Sequence, residues 1–197
     1  MIKAVLASGN AHKVHEIGLI LKDFDIELIT MKDAGFHGDV EENGTTFEAN
    51  SLIKAEAVMD ALKVDITLAD DSGLMVDALG GAPGVYSARY AGEPCDNEAN
   101  NDKLLEALKD LPFEKRTATF VTVITYLLAS GEKIVARGEV KGHIGFERKG
   151  DNGFGYDPLF IVEGLDKTYA EMNDDEKSRS SHRAAALEVL KAELLKR

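Results

Sequence analysis

The sequence predicts an α/β protein: an elongated, mixed and twisted sheet flanked by helices, arranged as two lobes with a central cleft. Three observations carry this expectation. Short apolar runs alternate with helix-periodic segments through the first half of the chain. A long tract rich in β-branched residues, Thr117–Leu128, then leads across Ser130-Gly131 into a second, Lys133–Val140. Single strands separated by helices, followed by a hairpin, describe a sheet with both parallel and antiparallel members. Finally, 197 residues suit one domain, taken as 1–197, long enough to bury a core without disulfides.

The elements follow in order. Lys3–Ala7 is a short apolar run and reads as a buried strand. It breaks at Ser8-Gly9-Asn10, and a helix follows with Val14, Ile17, Ile20 and Leu21 on one face. Ile26–Ile29 reads as a second strand and Gly35–Gly44 as an acid-bearing loop. Thr45–Ala61 reads as a helix with Phe47, Leu52, Ala55 and Val58 apolar. Ile66–Ala69 is another buried strand, ended by Asp70 and Asp71. Asn97–Leu108 is a helix that begins near Asp96. After a loop around Gly150–Pro158, a helix from Ser181 to Leu195 closes the chain.

Composition excludes some function classes. A net charge of −12 argues against a nucleic-acid polymer as partner, because backbone phosphates demand a basic surface. It leaves room for a small phosphorylated ligand, which needs only a few local lysines and a divalent metal. One cysteine, Cys95, permits no internal disulfide, and a reduced cytoplasmic compartment is the simplest reading. The opening "MIKAVLASGN" is too short for a membrane span or a signal peptide's apolar region, so no membrane partner is expected.

Five segments could carry chemistry. "SGNAHK", Ser8–Lys13, falls where a strand meets a helix; unpaired amides there favour an anion, and Lys13 adds charge. A helix cap with a surface lysine explains the same residues, and the Walker A pattern is absent. "EENGTTFEANSLIKA", Glu41–Ala55, places acids before a helix that carries Asn50 and Lys54 on one face. Metal and phosphate binding is one reading; dipole complementarity by the acids, with a solvated lysine, is the other. Asp70 and Asp71 stand at a strand's C-terminal end, where sites of open α/β sheets collect. Two close carboxylates become tolerable with a cation between them, and Mg2+ suits, since it takes oxygen ligands and completes its shell with water and phosphate. "NGFGYDP", Asn152–Pro158, offers Phe154 and Tyr156 as stacking faces between permissive glycines, or simply as core aromatics flanking a turn. "EKSRSSHR", Glu176–Arg183, is a basic cluster at the start of the last helix, where the dipole disfavours cations. That hints at an anion or a base edge, although a serine cap with solvated basic groups fits equally.

Together the five segments resemble the inosine/xanthosine triphosphate pyrophosphatase family, which clears non-canonical purine nucleotides. They stand in the family's order and spacing along nearly the whole chain, and "DDSGL" and "GGAPGVYSARY" bring it nearest the bacterial branch. The resemblance implies hydrolysis of ITP, dITP and XTP to the monophosphate plus pyrophosphate, with Mg2+. It implies substrate contacts by Ser8, Gly9, Asn10, Ala11, His12 and Lys13, by Lys54 and Ser72, by Phe154, Gly155, Tyr156 and Asp157, and by Lys177, His182 and Arg183, with Lys13, Lys54 and Lys177 offsetting phosphate charge and the base held near Phe154, Asp157, His182 and Arg183. Glu42 and Asp71 would be the metal acids, and Asp71 also the catalytic base. A homodimer is implied by the family alone. Asn152 and the pair Arg179-Ser180 depart from the commoner family residues, which bears on pocket detail and not on class. Asp70 and Arg89 receive no chemical role. Two other readings compete: a Maf-like pyrophosphatase acting on other modified nucleotides, and a nucleotide-binding regulatory module without hydrolysis. The acid pair speaks against a pure anion binder, and "GFGYDP" with "SHR" favours the purine enzyme.

Overall fold

The computed structural model describes residues 2–20 and 26–196. In chain order the main elements are β1 (Ile2–Leu6), α1 (Ala11–Ile20), β2 (Ile26–Thr30), α2 (Phe47–Leu62), β3 (Ile66–Val76), α3 (Asn97–Ala107), β4 (Thr117–Leu128), β5 (Lys133–Ile144), β6 (Phe160–Val162), α4 (Asp174–Ser180) and α5 (His182–Leu194). One sheet holds all six strands in the order β2-β1-β3-β4-β5-β6. β1 pairs in parallel with β2 and β3, whereas β6 pairs antiparallel with β5, so the mixed α/β class holds. Leu21, expected on the apolar face of α1, lies outside the described residues, as does the side chain of Ile20.

The chain forms two compact units. The first comprises residues 1–71, 122–138 and 183–197, and the second 72–121 and 139–182. In the first, strand alternation sorts the core. Leu6, Leu68, Ile124 and Ala136 pack with Ile17 of α1 and with Ala186, Leu187 and Leu190 of α5. Their neighbours Val5, Ala7, Ala69 and Leu127 pack instead with Ala55 and Val58 of α2. Successive strand side chains point to opposite faces, so helices cover both sides of these strands. The second unit buries Leu74, Val76, Leu104, Phe120, Tyr156, Phe160 and Tyr169 in one cluster.

Three expectations need correction. β3 does not end at Ala69; it runs on to Val76, so Asp70 and Asp71 lie within the strand. The terminal basic segment is not the start of a single helix either. Asn173 caps a separate α4 with a reciprocal Glu176 contact, and Lys177 and Arg179 fall in its last turn. Cations are favoured there, which removes the dipole argument for an anion beside those two residues. Nor are most of the basic groups solvated as a serine cap would leave them: Lys177, His182 and Arg183 are buried, and Arg179 alone of the four is exposed.

Candidate active site

The first unit concentrates its charge around the acid pair. Asp70 follows Ala69 on β3, so alternation turns it to the face of Leu68, beneath α1 and α5. There Lys13 Nζ of α1 lies 3.0 Å from its Oδ2 and Arg183 Nε of α5 lies 3.6 Å away. Arg183 Nη1 also reaches Glu16 of α1 at 2.6 Å. Asp71 turns to the face of α2. Lys54 Nζ of that helix stands 3.7 Å from Asp71 Oδ1 and 3.0 Å from Glu42 Oε2. Asn50, one turn before Lys54, hydrogen-bonds the Asp71 carboxylate and accepts the Gly44 N–H at 2.8 Å. Two like charges thus sit side by side in sequence because the pleat sends them to opposite faces, Asp70 toward Lys13 and Arg183 and Asp71 toward Lys54.

Their electrostatics differ accordingly. Burial opposes the charge of Asp70, but Lys13, Arg183 and Lys54 outweigh it and hold the carboxyl well below the usual aspartate range. For Asp71 burial wins: its carboxyl is pushed up although Lys54 and Lys13 pull the other way, and the negative charge of Glu42 adds to the rise. Burial also works against the charge of Lys54, yet Asp70, Asp71 and Glu42 together raise its ammonium above the ordinary value.

Among the described residues, no three His, Cys, Asp or Glu side chains converge into a ready metal cage. Glu42 and Asp71 nonetheless both approach one ammonium, so two carboxylate oxygens already share a cation. That donor set fits Mg2+, which is held by one or two carboxylates and completes its octahedron with water and substrate phosphate. The N-terminal motif is built as a turn: Asn10 Oδ1 accepts the amides of His12 and Lys13, and Ser8 Oγ accepts that of Asn10. The capping reading of Asn10 is therefore met, while Lys13 is drawn inward to Asp70.

The second unit gathers the aromatic motif. Asp157 is buried, and its Oδ2 accepts the Phe154 N–H at 2.8 Å and Lys177 Nζ at 2.7 Å. The ammonium also lies 5.3 Å from the Phe154 ring centre and 5.6 Å from that of Tyr169. Gly153 permits this closure: it has φ of 76°, and a Cβ there would stand 2.0 Å from Asp157 Oδ2. His182, also buried, stacks on Phe120 with centroids 4.7 Å apart and planes 9° from parallel. Tyr169 flanks the same imidazole at 5.8 Å.

Of the residues singled out in the sequence, Lys13, Glu42, Lys54, Asp71 and Arg183 therefore meet around the acids, and Phe154, Asp157, Lys177 and His182 belong to the second unit. Gly9, Ala11 and His12 are exposed, and Ser72 continues β3 after Asp71. Sequence reasoning singled out Asp70 without giving it a chemical role, and it missed three contributors. Glu16 completes the network of Asp70, Lys13 and Arg183, and Phe120 and Tyr169 frame His182. The period-2 alternation through "LADDSGL" could have separated Asp70 from Asp71, but nothing local marks Glu16 or Phe120, whose partners lie far along the chain.

Comparison with known proteins follows the same lines. The Ham1 family profile matches residues 4–193. A dITP/XTP pyrophosphatase of Clostridium perfringens is 52% identical over 98% of this chain and 98% of its own. A dITP/XTP pyrophosphatase of Caldanaerobacter subterraneus is 46% identical, covering 100% of this chain and 98% of its own. Among solved structures, the Ham1 protein of Staphylococcus aureus superposes with a TM-score of 0.87 at 43% identity, covering 98% of both chains. A HAM1 protein from Coxiella burnetii superposes with a TM-score of 0.89 at 39% identity over 100% of both. With its acid pair, its lysines and its aromatic loop arranged as described, and matched almost from end to end, the chain belongs to the Ham1 family.

Proposed function

We propose that this chain, as a single domain over 1–197, hydrolyses the non-canonical purine nucleoside triphosphates ITP, dITP and XTP to the monophosphate and pyrophosphate. The observation that carries the reading is the divergence of Asp70 and Asp71 within one strand. One acid is held between Lys13 and Arg183; the other stands beside Lys54 and Glu42 with its carboxyl pushed up by burial, the direction that favours a general base. The names of the relatives supply the substrate class.

In the reaction a water oxygen bonds to the α-phosphorus and the bond from that phosphorus to the β-bridging oxygen breaks. Asp71 takes the water proton, and the electron pair leaves with pyrophosphate. Lys13 and Lys54 offset charge on the phosphate oxygens, where preorganised cations do most of the work of phosphoryl transfer. Mg2+ held by Glu42 and Asp71 would neutralise phosphate charge and polarise the attacking water. Ser8–Lys13, Ser72 and Arg183 contribute to the phosphate end. Phe154–Asp157 and His182 hold the base. Lys177, ion-paired with Asp157, belongs to the base end in this reading. Donors aimed at the 6-keto oxygen are left unpaired by a 6-amino purine, and that difference rejects ATP.

The proposal extends to a cytoplasmic homodimer. No helix among the described residues is long and apolar enough to cross a membrane. Tyr86 and Val135 are exposed large apolar side chains within the segments 82–90 and 117–140, available to a second copy. The deciding experiment assays pyrophosphate release with Mg2+ from ITP, dITP, XTP, GTP and ATP. Release from the first three with little from the last two is expected. Equal turnover of all five, or release from none, overturns the reading.

A further inference from the structure

The segment "GGAPGVYSARYAG", Gly80–Gly92, and the asparagine pair Asn100-Asn101 of α3 have no chemical part in this reaction, yet they converge on the aromatic loop. Asn100 and Asn101 are both buried although they are polar. Asn100 Nδ2 donates to the Ala88 carbonyl at 2.9 Å, and its Oδ1 accepts the Ala91 N–H at 2.6 Å. Asn101 Nδ2 donates to the carbonyl of Gly155 at 3.0 Å, across 54 positions of sequence. The Tyr156 hydroxyl donates to the Ser87 carbonyl at 2.8 Å. Ser87 is itself fixed: its Oγ accepts the Leu74 N–H of β3 at 2.9 Å and donates to Gly84.

Adjacent asparagines on one helix therefore pin two loops, and Tyr156 ties those loops to each other. The Asn101 bond is the one that falls on the backbone between Phe154 and Asp157. It falls on a glycine with φ of 63°, the residue type with the widest freedom to move. We propose that Asn101 is a positioning residue for purine recognition. By holding the Gly155 carbonyl it fixes where Phe154 and Asp157 stand, and so governs affinity and selectivity for the base without touching substrate. This rests on the reading that Phe154–Asp157 holds the base.

Among the described residues Asn101 Oδ1 accepts no hydrogen bond, so the amide acts through its N–H alone. Asn101→Leu keeps the shape and removes that donor, and the half-buried Gly155 carbonyl can turn to water. We expect KM for ITP to rise roughly tenfold, the scale of one lost hydrogen bond in a buried setting. The preference for ITP over GTP should fall with it, while kcat at saturation stays near wild type. Inhibition by inorganic tripolyphosphate, which reports only the phosphate end, should not change. Asn101→Gln, which keeps the donor on a longer arm, should recover part of the lost affinity. Unaltered KM and selectivity in a folded Asn101→Leu protein overturn the proposal. So does a parallel loss of kcat, ITP affinity and tripolyphosphate inhibition, the mark of a general structural defect. Should Asn101→Leu not fold, Asn101→Ser, whose hydroxyl is too short to reach Gly155, carries the same expectations. Phe154→Ala separates the two layers. If it leaves KM unchanged, the base-loop reading itself fails; if it raises KM while Asn101→Leu does not, only the positioning role fails.

Discussion

The two units handle buried charge in opposite ways. Around β3 of the first unit, Lys13, Lys54 and Arg183 face Glu16, Glu42, Asp70 and Asp71, three cations against four carboxylates. In the second unit the buried Lys177 meets the buried Asp157 among aromatic rings, and the buried Arg116 guanidinium lies over the Phe146 ring. An excess of oxygen donors is the composition that the proposed metal-and-phosphate end calls for, and a balanced pair among aromatics is the one that the proposed base end calls for. The first cluster carries one more carboxylate than cations, and in the second the ion pair is balanced.

The sharpest way to break this comparison is inside the acid pair. Asp71→Asn should cost roughly a hundred- to ten-thousand-fold in turnover, the scale of a lost general base. It should not lower the melting temperature in metal-free buffer at neutral pH, because burial already disfavours the charged carboxylate there. Asp70→Asn should do the reverse to stability. The buried Arg183 and the half-buried Lys13 lose their shared partner, at a cost of about 3 kcal/mol at pH 7. The folded-state pKa of Asp70 is depressed, so its contribution is fully present above the unfolded carboxyl value of about 3.9. That contribution is lost as pH falls from there toward the lower folded value. Urea midpoints of wild type and Asp70→Asn should therefore converge as pH is lowered through that window. A gap that stays constant with pH, or an Asp71→Asn protein as active as wild type, would remove the distinction between the two acids.

That distinction also measures what the sequence can say. The family resemblance singled out Asp71, Glu42 and Lys54, and the structure brings these three side chains together. The hairpin and the early helices were legible because their apolar periods are long. Asp70 was read as a strand end, because an acid pair normally terminates a strand. Here distant cations on α1 and α5 make the continuation tolerable, and tertiary context overrides the local preference. Lys177 misled for a related reason. Its place in the last turn of α4 depends on a capping box at Asn173 and Glu176 that separates α4 from α5. The aromatic frame of His182 left no sequence trace, as Phe120 lies on β4 and Tyr169 in a short 3-10 turn.

The closed pair of the second unit can be opened in turn. Lys177→Met preserves much of the stem and removes the ammonium, leaving the buried Asp157 carboxylate with the Phe154 N–H at 2.8 Å but without its cation. A loss of about 3 kcal/mol in urea unfolding is expected, as for one half of a buried ion pair. KM for ITP should rise, and tripolyphosphate inhibition should persist. If tripolyphosphate binding weakens as much as ITP binding, Lys177 serves the phosphates and its assignment to the base end is wrong.

The smallest effects should come from two glycines that press against the two sites. A Cβ on Gly44 would meet Asn50 Oδ1 at 2.6 Å and Ala49 Cβ at 2.8 Å; a Cβ on Gly153 would meet Asp157 Oδ2 at 2.0 Å. Gly153 also needs φ of 76°, which alanine adopts at a cost of about 1–2 kcal/mol. Gly44→Ala pushes on the side chain that orients Asp71, so kcat should fall several-fold, roughly 1 kcal/mol of barrier, with base preference kept. Gly153→Ala pushes on the carboxylate that organises Phe154, so KM and the preference for ITP over GTP should shift by a similar factor with kcat largely kept. The same added methyl group is thus expected to register in different kinetic constants. If both substitutions move kcat and KM together, the two regions are mechanically one, and the division between an ion-binding cluster and a base-holding loop does not describe how the enzyme works.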